Sequence, residues 1–265
     1  MQSHPGSTHD ELPPEGDQPP HYESRVEGAA APAALPPVRG REVLVALGSL
    51  IVVPVVLMTL VLVTLRQRGW VDGFHTVVLA ALITAAVAAC GCLALQARRL
   101  RWGWRHLGFT PATRSLWHLV WEIPLCLLFT LIVVGIGALV LGVDPGGSNR
   151  TADFDAAAAA GPLFLISLAV TTAIIIPAAE EVVFRRFLLD WLCTKVPAAA
   201  AVGLSAVAFA LVHVAPPVMP FVGLLGACAA VLRLRHGTLY APLALHAVNN
   251  GLVVLGAVSG LSGPG

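Results

Sequence analysis

Charge is scarce in this 265-residue chain: Asp, Glu, Lys and Arg make up 12%, about half of what a soluble domain carries. With 57% apolar residues and a mean hydropathy of +0.80, a water-soluble globular fold is excluded. No Lys/Arg block interleaved with aromatics is present and the net charge is only +1, so nucleic acid is not an expected partner. The five cysteines (Cys90, Cys92, Cys126, Cys193 and Cys228) form no Cys-x-x-Cys pair and lie in or beside apolar segments. Neither a disulfide framework nor a Cys-ligated zinc is expected from them. No serine or cysteine stands beside a base, which disfavours covalent nucleophilic catalysis. No internal repeat is evident, and that argues against an inverted-repeat transporter.

What the chain does have is long apolar runs. Runs of about 18 residues or more read as membrane spans, and seven are expected, at roughly 42–65, 75–97, 116–142, 161–189, 198–214, 218–234 and 239–259. The fold class is therefore all-α, a polytopic transmembrane helical bundle. Residues 1–38 are rich in Pro, Gly, Glu, Asp and His and have almost nothing to bury, so they read as a disordered tail. His4, His9 and His21 within it are spaced too irregularly to suggest a metal site. The tail has no basic region near Met1, so no cleavable signal peptide is indicated. Residues 39–145 would form the first membrane helices and 146–265 the functional core.

Orientation follows the loop arginines. Arg98, Arg99, Arg101, Arg105 and Arg114 crowd the loop after the second run, and Arg39, Arg41, Lys195, Arg233 and Arg235 fall on the same side. Asp144, Arg150, Asp153 and Asp155 fall on the other, with Arg66 and Arg68 in mild dissent. The amino terminus is expected in the cytoplasm. Trp102, Trp104, Trp117 and Trp121 read as an interfacial belt around the basic loop, and Tyr240 as an anchor of the last span. His75, His106, His118 and His236 sit at span edges or in loops, where interfacial placement suffices.

Against that background Glu180, Glu181, Arg185 and Arg186 stand out, four ionisable residues within seven positions of an apolar run. Each costs roughly 2.5–3.5 kcal/mol at the centre of a membrane helix. Glu181 and Arg185 are four apart in the favourable order and share a helix face. Glu180 sits about 100° away and is free to face a cavity as a general base toward water. The bland alternative places all four at the membrane boundary, with the arginines snorkelling. Pro177 is expected to kink the helix just before Glu180. His213, one turn after Phe209, reads equally as a catalytic base or as a partner for a neighbouring carbonyl. His246 and Asn250, four apart, project together, with Asn249 about 100° off. An Asn amide is a poor zinc ligand but a good donor to a developing oxyanion; an interhelical polar clamp is the alternative.

Glu180-Glu181-Val-Val-Phe184-Arg185, Phe209-Ala-Leu-Val-His213 and His246-Ala-Val-Asn249-Asn250 resemble, in order and on separate spans, the motifs E-E-x-x-x-R, F-x-x-x-H and H-x-x-x-N of the CPBP family. This is the intramembrane CAAX-protease and bacteriocin-processing group, also called Abi or type II CAAX prenyl endopeptidase-like. The likeness covers about residues 100–255 and is strongest over 177–251; Leu107-Gly108-Phe109 and the stretch Gly237–His246 add to it. It implies an endopeptidase with its site in the last four helices. Glu180 and His213 would activate water, His246 and Asn250 would hold the oxyanion, and Glu181 with Arg185 would brace the site. Arg186 departs from the family, which commonly has Gly there, and puts close backbone packing at that point in doubt.

The family is often labelled a metalloprotease, in which case Glu180, His213 and His246 would ligate zinc with an open fourth position. A site without a cofactor is the favoured expectation, because Asn250 beside His246 suits oxyanion duty better. The implied partners are the lipid bilayer and a membrane-associated peptide or protein, prenylated or not, and the implied location is the cell membrane. A non-catalytic membrane protein using the same polar core, such as a self-immunity factor, is the rival reading.

Overall fold

The structure, a computed structural model, describes residues 35–68, 74–142, 161–213 and 216–259. The histidines of the tail and the loop carrying Asp144, Arg150, Asp153 and Asp155 lie outside the described residues. Among the described residues there are seven helices and no strand: α1 (Gly40–Arg68), α2 (Phe74–Arg99), α3 (Leu119–Leu141), α4 (Pro162–Leu192), α5 (Ala198–Leu211), α6 (Met219–His236) and α7 (Tyr240–Val258). Six are long and apolar enough to cross a membrane. The exception is α5. Its 14 residues reach about 21 Å at 1.5 Å per residue, short of a hydrocarbon core of about 30 Å. Apolar character in the sequence runs on to Val214, but the helix stops at Leu211, ahead of Pro216 and Pro217, which cannot continue it.

Exposure is inverted relative to a soluble protein. Leu139 (84% exposed), Leu163 and Val140 face outward, whereas Glu42, Glu122, Glu181, Arg185, Arg186, Arg233 and His246 are buried. In lipid no hydrophobic force drives helices together, so small residues and polar pairs must hold them. Both devices are present. Ala46, Ala85, Ala86 and Ala89 are buried on α1 and α2. On α6, a Cβ added at Gly223 would lie 3.3 Å from Ala210 Cβ, and one at Gly226 would lie 2.9 Å from Phe209 Cδ1, so α5 and α6 approach as closely as glycine permits.

Polar contacts gather at one end of the bundle. Arg186 donates from Nε to the His106 carbonyl (2.7 Å), from Nη2 to the Pro36 carbonyl (2.7 Å) and from Nη1 to Asp190 (3.1 Å). Arg233 donates to the same Asp190 oxygen at 3.0 Å. The body of the protein thus begins before residue 38: Pro36 is held by Arg186, and Val38 is buried. The doubt attached to Arg186 is resolved by its long side chain, which fills the space and lies 4.6 Å from the Trp102 ring. Trp102 therefore packs inward, stacked on Phe187 at 5.5 Å, while Trp104, Trp117 and Trp121 are exposed as belt residues are.

The loop between α2 and α3 is fastened to the α6–α7 turn by Leu239 N–H to the Gly108 carbonyl, Thr110 Oγ1 to the Gly237 carbonyl and Thr113 N–H to the His236 carbonyl, each at 2.9 Å. Gly237 turns left-handed (φ +65°) to end α6, and a Cβ there would lie 2.9 Å from Thr113 Cγ2. Tyr240 accepts from Trp104 Nε1 at 3.1 Å. His236 is not an interfacial residue: it is fully buried, with Nε2 2.6 Å from Glu122. Glu122 in turn pairs with Arg235 at 2.8 Å.

Candidate active site

Three helices bring the singled-out residues together. Glu180 and Glu181 come from the middle of α4, His213 from the turn that ends α5, and His246, Asn249 and Asn250 from α7. They surround a cavity of about 400 Å³ whose wall includes Glu180, Phe209, His213, His246, Asn249 and Asn250. Among the described residues no serine or cysteine lines it. A second cavity of about 330 Å³ lies between α1, α2 and α4, and every side chain on its wall is apolar except Glu180. Leu82, Ile176 and Glu180 are common to both. Glu180 therefore stands where an aliphatic compartment meets one that also carries the two histidines and two asparagines.

Glu181 is fully buried and fully engaged. One oxygen lies 3.1 Å from Arg185 Nε, an ion pair rather than an aligned hydrogen bond; the other accepts from His246 Nδ1 at 3.0 Å. The pairing with Arg185 has the spacing seen in the sequence. The bond to His246 crosses 65 positions of chain and had no local signal. Arg185 is also fully buried, 4.9 Å from the Phe209 ring centroid. The reading that puts all four charges at a solvated membrane boundary does not hold for Glu181, Arg185 or Arg186, each at most 1% exposed.

His246 bridges the two glutamates. Its Nδ1 is committed to Glu181, and its Nε2 lies 3.5 Å from Glu180 Oε2. Phe209 organises the space between the histidines, with its ring centroid 4.8 Å from His213 and 5.8 Å from His246, both edge-on. His213 Nδ1 sits 2.7 Å from the Phe209 carbonyl. A carbonyl only accepts, so Nδ1 carries the proton and Nε2 is left with a lone pair. The carbonyl partner expected for His213 is thus present on Nδ1, and Nε2 has no partner among the described residues.

Asn250 is held twice. Its Nδ2 donates to the Thr172 carbonyl on α4 at 2.9 Å, and its Oδ1 accepts from Asn249 Nδ2 at 3.0 Å. Asn249, expected to point elsewhere, lines the same cavity. Among the described residues no three His, Cys, Asp or Glu side chains are grouped as a metal would need.

Comparison with known proteins places one part of this architecture. The family model described as Type II CAAX prenyl endopeptidase Rce1-like matches residues 162–252. That stretch is a domain of the Rce1-like family. It begins with α4 and ends just past Asn250, so it contains Glu180, Glu181, His213, His246 and Asn250, while α1, α2 and α3 lie outside it. No curated protein and no solved structure matches the chain.

Proposed function

We propose that this protein is an intramembrane endopeptidase that hydrolyses a peptide bond of a membrane-associated substrate with water activated by Glu180. The observation that carries the reading is the position of Glu180 on the shared wall of an aliphatic cavity and the one lined by His213, His246 and Asn250, with His246 Nε2 3.5 Å away. The Rce1-like domain supports proteolysis in general.

In this mechanism Glu180 takes a proton from water while His213 Nε2 accepts the hydrogen bond that orients it. The water oxygen bonds to the scissile carbonyl carbon, and the resulting oxyanion receives hydrogen bonds from Asn250 Nδ2 and from Nε2 of His246 when that atom is protonated. Collapse breaks the C–N bond, and Glu180 returns its proton to the leaving amine. Glu181 fixes the His246 ring through Nδ1 and balances the Arg185 charge. The surround of the second cavity, apolar apart from Glu180, suits a hydrocarbon substituent beside the scissile bond, as in the prenylated Cys-aliphatic-aliphatic-X tails that the family name describes. The basic end of the bundle would face the cytoplasm.

The test uses full-length protein in lipid nanodiscs and a quenched-fluorescent farnesylated peptide with two aliphatic residues after the modified cysteine. The wild-type chain should cleave it, with little effect of a zinc chelator. Glu180→Gln should lower kcat at least about a hundredfold, the scale of losing general-base catalysis. Cleavage that survives Glu180→Gln, or chelator inactivation reversed by stoichiometric zinc, would overturn the mechanism. A folded wild-type chain that cleaves neither this peptide nor its unprenylated form would favour the non-catalytic reading, for which the Asn250–Thr172 bond is an ordinary interhelical clamp.

A further inference from the structure

The Thr172 carbonyl that holds Asn250 is itself a product of the local sequence. Thr171–Ile175 is wound as a π-helical turn, and the Ile176 N–H bonds to the Thr171 carbonyl, five residues back. An α-helical turn would have sent that N–H to Thr172. In the wider winding, the next donor due to Thr172 is the N–H of residue 177. Residue 177 is proline and has none. Thr172 is thus left without that backbone donor from its own helix, on the wall of the cavity that Asn250 also lines. Asn250 Nδ2 fills the vacancy from α7 at 2.9 Å.

That single bond decides which way the amide faces. With one N–H on Thr172 and Oδ1 on Asn249 Nδ2, the side chain cannot flip without losing both contacts. The second N–H of Asn250 has no partner among the described residues and belongs to a residue of the cavity wall.

We propose that Pro177 is a positioning residue: by denying Thr172 a backbone partner, it creates the acceptor that orients Asn250 toward the cavity. The catalytic consequence rests on the proteolytic reading above, whereas the orientation of the amide does not. Any other residue at 177 brings an N–H. Whether the turn stays π or rewinds to α, Thr172 then gains a backbone donor along the helix axis, which competes with Asn250 for the carbonyl and weakens its tether. The substitution also removes a helix-interior proline, so the helix should not be weakened.

The experiment uses Pro177→Ala and Pro177→Val, which differ in side-chain volume but share the restored N–H, in full-length protein in nanodiscs. The chain has three asparagines, Asn149, Asn249 and Asn250, so selective ¹⁵N-asparagine labelling resolves the side-chain amides, with Asn250→Asp for assignment. In the wild-type chain one Asn250 amide proton should be protected from exchange, and in both variants that protection should disappear. The melting temperature should hold or rise. With the farnesylated peptide, kcat should fall about tenfold or more while KM stays within about twofold, because the amide acts on the transition state rather than on binding. Unchanged exchange of the Asn250 amide in both variants would overturn the proposal, whatever the activity. So would lost protection with kcat intact. A wild-type chain that does not cleave the peptide would sink the proteolytic reading alone, and the amide resonances would still decide the orientation.

Discussion

Glu180 and Glu181 are covalent neighbours in opposite circumstances. Glu181 has no exposure, and both its oxygens are engaged, by Arg185 and by His246. Glu180 keeps some exposure to two cavities and has one weaker contact, at 3.5 Å. Truncation should therefore act on different properties. Glu181→Ala leaves the Arg185 guanidinium buried with no counter-charge in hydrogen-bonding range, and should destabilise the protein by about 3–5 kcal/mol. Glu180→Ala removes a partly solvated group and should leave the melting temperature nearly unchanged while abolishing turnover. Thermal unfolding of both variants in nanodiscs checks this, and equal losses would refute the division. Much of this contrast was legible in the sequence, because a helix places Glu181 and Arg185 on one face and Glu180 on another. The share of Glu181 taken by His246 was not legible, since no spacing rule links residues 65 positions apart. The same holds for Glu122, whose partner His236 lies 114 positions away.

The element that departs most from expectation is α4. A kink at Pro177 is the usual consequence of an interior proline, but here π-helical turns at Thr171–Ile175 and Val182–Leu189 flank it. Hydrophobic periodicity could not show these windings, because the segment is apolar on nearly every face. The second π-helical stretch carries Arg185 and Arg186, both buried. The long Arg186 side chain crosses to the loop between α2 and α3 and to the residues that precede α1. Arg186→Leu keeps much of the apolar stem and removes both bonds to the His106 and Pro36 carbonyls. Since each charge-assisted bond contributes roughly 1.5–3 kcal/mol, a net loss of about 2–4 kcal/mol is expected. Hydrogen exchange should accelerate at 35–39 and 100–108 while the α5–α6 pair stays protected. Exchange confined to α4 itself would show that Arg186 does not anchor these segments.

At the scale of the whole molecule, the basic residues that suggested an orientation meet at one end of the bundle. Arg186, at the exit of α4, reaches the chain before α1 and the α2–α3 loop, and Arg233 of α6 shares Asp190 with it. Hydropathy was enough to read the helical spans, because bilayer thickness constrains the length of a membrane helix tightly. It misjudged α5, whose apolar run is longer than its helix. A native probe reports the proposed orientation. Cys193 follows α4 at the basic end and is exposed, whereas the other four cysteines are partly buried within helices. An impermeant maleimide should label Cys193 in inside-out vesicles and not in right-side-out ones. Partial burial and the nearby Asp190 carboxylate raise the Cys193 thiol pKa. Its thiolate fraction is therefore low at neutral pH, and labelling should accelerate as pH rises. Asp153→Cys in a Cys193→Ser background should give the mirror result, labelling only in right-side-out vesicles. If Cys193 reacts from the outside and position 153 from the inside, the basic end faces away from the cytoplasm and the loop-arginine argument is wrong for this chain.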